Sequence, residues 1–230
     1  MPPDASPIPV LLLPGMDGTG DLLAGFAGRL KKERPVDIVS YPSDDPLTYD
    51  DLIAFVSARL PKAQFVLVAE SFSGPIAIEI AATSSSVAGL VLASSFVRRP
   101  GPALFAGFSR MFRRNWIPMR LTSSMLMGSL ATQELRLRLA HTLASVSDAA
   151  LQARIASVFN VDKRERLRDV RSPILCLYGK RDGLVGKRQW AEIKSIQPGS
   201  KVRWLDGPHM LLETRAVEAA EAVNAFCGRV

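Results

Sequence analysis

The spacing of apolar residues constrains the fold of this chain more than any other feature, because short apolar runs alternate with stretches of helical period. Six runs read as strands: Ile8 to Leu13, Val36 to Tyr41, Phe65 to Ala69, Leu90 to Ala93, Ile174 to Tyr178 and Val202 to Leu205. Between the first runs, Leu22, Leu23, Phe26 and Leu30 share one helical face. Leu52, Ile53, Val56 and Leu60 share another, behind a Thr48 suited to cap a helix. Such alternation implies a parallel sheet covered on both faces, since each crossover must pass over the sheet. The expected class is α/β, doubly wound, with a mainly parallel sheet of about six strands.

One interval breaks the rhythm. Roughly seventy residues, from about Phe96 to Arg168, lie between the fourth run and the fifth, too many for a simple connection. The expectation is a helical cap at 97–168, inserted into a core formed by 1–96 and 169–230. Within it, Leu104, Phe105, Phe108, Met111 and Phe112 form an apolar stripe at helical spacing, with Trp116 beyond. Part of this stripe is expected to face the crevice as a substrate pocket. Residues 135–146 and 148–159 also read as helices.

At 230 residues the chain has length for one well-buried domain with an insertion. Lysine and arginine exceed aspartate and glutamate by 29 to 22. Six of these seven excess charges are Arg98, Arg99, Arg110, Arg113, Arg114 and Arg120, in a stretch between Glu79 and Glu134 that holds no acidic residue. The high pI therefore reports a local patch, and Arg110, Arg113 and Arg114 are candidates to meet an anionic partner. No recognition helix or stacking platform accompanies it, so nucleic acid is not an expected partner. The first residues lack a basic region and the apolar run from Val10 is short, so neither a signal peptide nor a membrane span is expected, and the reading is cytoplasmic. Cys176 and Cys227 suggest buried thiols rather than a disulfide framework or metal cluster. Gly15, Gly18 and Gly20 match neither dinucleotide nor P-loop spacing, and no cofactor is expected.

Chemistry concentrates at Ser71. The strand from Phe65 ends there abruptly, and a helical pattern follows. Ala69, Ser71 and Ser73 form a small-residue version of G-x-S-x-G, in which small flanking side chains let strand and helix close up beneath a projecting serine oxygen. The rival reading is a serine that caps the following helix. Ser73 is a weaker nucleophile candidate, because Pro75 takes its second flanking position. A serine nucleophile needs a base, and the chain has two histidines. His141 lies in a helix-like stretch. His209 follows the last apolar run and the turn residues Gly207 and Pro208, at a strand's C-terminal end, and is the better base. Asp182 is either an acid partner or a turn residue before Gly183. Asp206 lies too close in sequence to His209 to be the first choice, and Asp17 is expected to order its glycine-rich loop.

Nearly the whole chain resembles the α/β-hydrolase family. Leu11 to Gly20 looks like that family's oxyanion loop, Ser71 like its nucleophile, Leu177 to Val185 like its acid loop and Gly207 to His209 like its histidine loop, in the family's order Ser, Asp, His. The resemblance implies a catalytic triad of Ser71, Asp182 and His209. The backbone N–H groups of Met16 and Phe72 would form the oxyanion hole, with their side chains shaping an acyl pocket. Strand order 2-1-3-4-5-6 would bring these loops to one sheet edge. Pro14-Gly15 stands where many members have His-Gly, Ala69 and Ser73 replace the elbow glycines, and the opening hairpin is missing, which implies a trimmed sheet. Leu13 to Gly20 with Ala69 to Gly74 is similar to the hydrolase-like part of phytyl ester synthases and diacylglycerol acyltransferase relatives. The basic cap resembles that of carboxylesterases acting on pimeloyl methyl esters of acyl carrier protein. The expected activity is a serine carboxylesterase acting on a small-molecule or lipid-like ester. Acyl transfer by the same triad, hydrolysis of an ester on an acidic carrier protein, and a non-catalytic receptor or interaction protein are the alternatives.

Overall fold

All pairings in the six-stranded sheet are parallel, in the order β2-β1-β3-β4-β5-β6. The computed structural model describes residues 6–100 and 118–230. Phe105, Phe108, Met111, Phe112, Trp116, Arg110, Arg113 and Arg114 lie outside the described residues. The strands are β1 (Val10–Leu13), β2 (Val36–Ile38), β3 (Phe65–Glu70), β4 (Val87–Ala93), β5 (Ile174–Gly179) and β6 (Lys201–Leu205).

Strand periodicity sorts the side chains into two cores. Leu11, Leu13, Leu67, Leu90, Cys176 and Tyr178 face α2 (Tyr49–Ser57), α3 (Gly74–Thr83) and α8 (Lys187–Ile196), packing with Leu52, Val56, Ile76, Ile80 and Ile193. Val10, Leu12, Val66, Val68, Val91 and Leu177 face the other way, onto Phe26 and Leu30 of α1 (Ala24–Leu30) and Val223 and Phe226 of α10 (Ala216–Cys227). Each fully buried Leu, Val or Phe contributes roughly 1.5–3 kcal/mol of apolar transfer, so the two faces dominate stability. Thr48 caps α2 as its sequence implied: its hydroxyl accepts from Asp51 N–H, and the Asp51 carboxylate accepts from Thr48 N–H at 2.9 Å.

Strand ends depart from the apolar runs for local reasons. β1 starts at Val10 because Pro9 has no N–H for the ladder, although its carbonyl accepts from Val66. β2 ends at Ile38, after which Tyr41 N–H turns to the carbonyl of Gly18. β4 begins three residues early, at Val87, through Ala88 and Gly89; Gly89 is weak in strand propensity but leaves room for the Phe226 ring.

Between β4 and β5 the described residues form α4 (Met119–Met127), α5 (Gln133–Ala144), α6 (Asp148–Asn160) and α7 (Arg164–Asp169). Glu79 of α3 anchors α7 through Lys163 and Arg166, each at 2.7 Å. Met127, Ala131 and Leu139 pack with Leu22 and Met210, and Met210 N–H donates to Leu126 O, so these helices reach the sheet's C-terminal edge. Among the described residues no helix is long and apolar enough to cross a membrane.

Candidate active site

Four loops leave the carboxyl ends of β1, β3, β5 and β6, where a parallel sheet opens its crevice. Ser71 directly follows β3 and has φ 44°, a left-handed conformation that costs a non-glycine residue about 1–3 kcal/mol and persists only when surroundings impose it. Here they do. Ser95 Oγ donates to Ser71 O at 2.6 Å, and Tyr49 Oη donates to Phe72 O at 2.8 Å. Ser73 Oγ donates to Pro14 O, so Tyr41 Oη, 2.6 Å from that same hydroxyl, must be the donor to it. Ser73, fully buried, is thus a tie between two loops.

The Ser71 oxygen lies 2.8 Å from Nε2 of His209, and Nδ1 of His209 lies 2.9 Å from Oδ2 of Asp182. The other Asp182 oxygen accepts from the N–H groups of Leu184 and Val185 at 2.8 and 2.9 Å. With both oxygens occupied and its side chain wholly buried, the Asp182 carboxyl is fixed in place. An Nδ1–H donated to it leaves the Nε2 lone pair facing the serine hydroxyl, the arrangement that moves a proton from oxygen to imidazole. Backbone contacts hold the two loops together: Lys180 N–H donates to Leu205 O and Arg181 N–H to Gly207 O. A Cβ on Gly179 would run into the carbonyl oxygens of Gly207 and Pro208, so only glycine admits this crossing. His141 is exposed on α5. Asp206 pairs with Arg181 and Arg215 instead of the imidazole.

Met16 follows β1 in a turn closed by Gly18 N–H to Gly15 O at 3.1 Å. Asp17 Oδ1 accepts from both N–H and hydroxyl of Thr19, ordering the loop as expected. Phe72 N–H lies in the first turn after β3, where helical N–H groups have no intrahelical acceptor. The Phe72 ring, expected to shape an acyl pocket, is instead fully buried and stacked on Tyr49 at 4.7 Å. The turn that exposes Ser71 tips its successor into the core.

Sequence reading passed over a group of acids beneath the site. Glu70, next to Ser71, is buried with Glu213 of α9 (Leu211–Thr214) and Asp17 nearby. Burial first, and then the neighbouring carboxyl of Glu213, hold Glu70 well above the usual carboxylate range. Glu213, whose carboxylate oxygens are shut off from solvent, is pushed up to about 7, chiefly by burial. The adjacency of Glu70 to Ser71 was a readable signal; its meeting with Glu213 was not. Arg154 of α6, also fully buried, was missed entirely. Among the described residues no group of His, Cys, Asp or Glu is arranged to hold a metal ion.

The fold recurs in known proteins. An enol-lactonase from Burkholderia xenovorans LB400 superposes with TM-score 0.82 at 15% identity, over 97% of this chain and 92% of that one. A bromoperoxidase from Bacillus anthracis gives 0.83 at 20% identity, over 96% and 92%. An esterase from Exiguobacterium antarcticum gives 0.82 at 17% identity, over 97% and 92%. At these identities the likeness is one of fold. No curated protein matches the sequence significantly. The sequence pattern described as "Alpha/beta hydrolase family" matches residues 10–224. With six parallel strands in the order described and that match spanning nearly all of its length, the chain belongs to the alpha/beta hydrolase family.

Proposed function

We propose that this protein is a cofactor-independent serine hydrolase, a carboxylesterase acting on a small or lipid-like ester with an apolar portion. The observation that carries the reading is the relay itself: a strained serine whose hydroxyl is 2.8 Å from an imidazole held on its far side by a buried carboxylate. Ser71 Oγ attacks the ester carbonyl carbon while His209 Nε2 takes its proton, and Asp182 stabilises the imidazolium. The N–H groups of Met16 and Phe72 receive the oxyanion; one such donor is worth about 3 kcal/mol of barrier. Collapse expels the alcohol, which takes the proton from His209 and leaves acyl-Ser71. Water, deprotonated by His209, then releases the carboxylic acid and restores the serine. The helices from Met119 to Asp169, between β4 and β5, serve as the cap over this chemistry. The shared fold with an esterase and an enol-lactonase fits ester cleavage.

A chain-length series of p-nitrophenyl esters, acetate through dodecanoate, tests the reading. Native protein is expected to turn over with a medium-chain optimum, and Ser71→Ala to fall to background. Turnover unchanged by Ser71→Ala would remove the mechanism. His209→Ala should abolish hydrolysis while His141→Ala retains it, and equal losses would overturn the choice of base.

A further inference from the structure

Arg154 is the largest of the fully buried side chains, 1% exposed, and it reaches out of α6 into the loop after β1. Among the described residues no carboxylate forms an ion pair with it, although the charge of nearby Asp17 attracts it. Its guanidinium donates only to backbone carbonyls: Nη1 to Met16 O at 3.0 Å and Asp17 O at 2.6 Å, and Nη2 to Pro42 O at 2.8 Å. A cation buried on neutral acceptors is costly, and an apolar side chain would fill the same space more cheaply. What it achieves is visible in the loop's carbonyls, every one of which from residue 14 to 19 is engaged. Ser73 holds Pro14 O, Gly18 N–H holds Gly15 O, Arg154 holds Met16 O and Asp17 O, Tyr41 N–H holds Gly18 O, and Ser40 Oγ holds Thr19 O. Met16 N–H, by contrast, has no acceptor among the described residues. Met16 N–H shares its peptide with Gly15 O, which Gly18 N–H holds, and Gly18 N–H shares its own peptide with Asp17 O, which Arg154 holds. A flip that exchanged N–H for C=O at the substrate would break this chain of occupied carbonyls. Gly18 is shaped to the same contact: it has φ 73°, and a Cβ there would sit 2.6 Å from Arg154 Nη1.

We propose that Arg154 is a positioning residue for the oxyanion donor: from a helix between β4 and β5 it pins the carbonyls of Met16 and Asp17, and so keeps Met16 N–H aimed at the reacting oxygen. The inference rests on the serine-hydrolase reading above and deepens it, because the β4–β5 helices then set the competence of the oxyanion hole as well as covering it. The guanidinium fork is required, since a lysine ammonium cannot span three carbonyls in one plane.

The test compares native protein with Arg154→Lys and Arg154→Gly below their melting temperatures. Four readouts are taken: kcat and KM on an activated ester, the rate of fluorophosphonate labelling at Ser71, affinity for a trifluoromethyl ketone that forms a tetrahedral adduct, and affinity for the product alcohol. Arg154→Lys is expected to lose about 10- to 100-fold in kcat with KM within about threefold. The ketone should weaken by a similar factor while the alcohol binds as before. Added guanidinium, and not an equal concentration of sodium chloride, should restore activity to Arg154→Gly. Arg154→Lys, which keeps charge and most of the volume, carries the test alone if the glycine variant unfolds. Native kcat and ketone affinity in a folded lysine variant would overturn the proposal, as would equal loss of ketone and alcohol binding. If native protein itself fails to label at Ser71, the hydrolase reading falls; if native labels and Arg154→Lys labels equally fast, only the role of Arg154 falls.

Discussion

Two buried carboxyl sites flank the serine, and they are built in opposite ways. Asp182 is given a donor for each oxygen: two backbone N–H groups for one and the His209 imidazole for the other. Glu70 and Glu213 have each other and Asp17 for neighbours, and Glu70 Oε1 and both oxygens of Glu213 lack hydrogen-bond partners among the described residues. Burial and a second carboxyl hold Glu70 well above the usual carboxylate range, and burial pushes Glu213 up to about 7, whereas Asp182 has a hydrogen bond to each of its oxygens.

The same isosteric change should break the two sites very differently. Asp182→Asn is expected to lower kcat/KM by about 10³- to 10⁴-fold with the fold intact by circular dichroism, because the amide presents the wrong hydrogen-bonding partner to Nδ1. A loss under tenfold would mean that Asp182 is only a turn residue. Next in size, Gly179→Ala should destabilise the protein by more than about 4 kcal/mol in urea unfolding, since its methyl has only backbone carbonyls to displace. Tolerance there would show that the surroundings of Asp182 are less rigid than its contacts imply.

The smallest effect belongs to the glutamate pair and appears only with pH. Glu213 moves from an ordinary value of 4.5 to about 7 in the folded protein, so between these values the folded state binds more protons than the unfolded one. Stability must then fall as pH rises across that window, by at most a few kcal/mol. Glu213→Gln should flatten this slope and leave stability near pH 5 within about 1 kcal/mol. A native melting temperature that climbs from pH 5 to 8 would contradict the assignment.

The contrast also marks what the sequence could disclose. The inner strands β1, β3, β4 and β5 are buried on both faces and read as continuous apolar runs, while the edge strands β2 and β6 were visible despite Asp37 and Arg203. Small residues around Ser71 together with a scarcity of histidine pointed to the serine and His209. Asp182 became distinguishable from a turn residue only through the order of its loop among the others. Residues whose role depends on a distant partner stayed hidden. Arg154 occupies an unremarked position in a helical repeat, and its partners at Met16 and Asp17 lie more than 130 positions away. Phe72 was misplaced for the same reason: neighbouring Ser71 in sequence says nothing about which way a strained turn throws the next ring.

An all-parallel sheet has a kinetic consequence. Each pairing needs a full crossover, and the serine and imidazole are separated by 138 positions in the chain. Closing such long loops is slow and comes late in folding. Helical content can therefore return while the protein is still inert, and turnover becomes a signal that the final strand has docked.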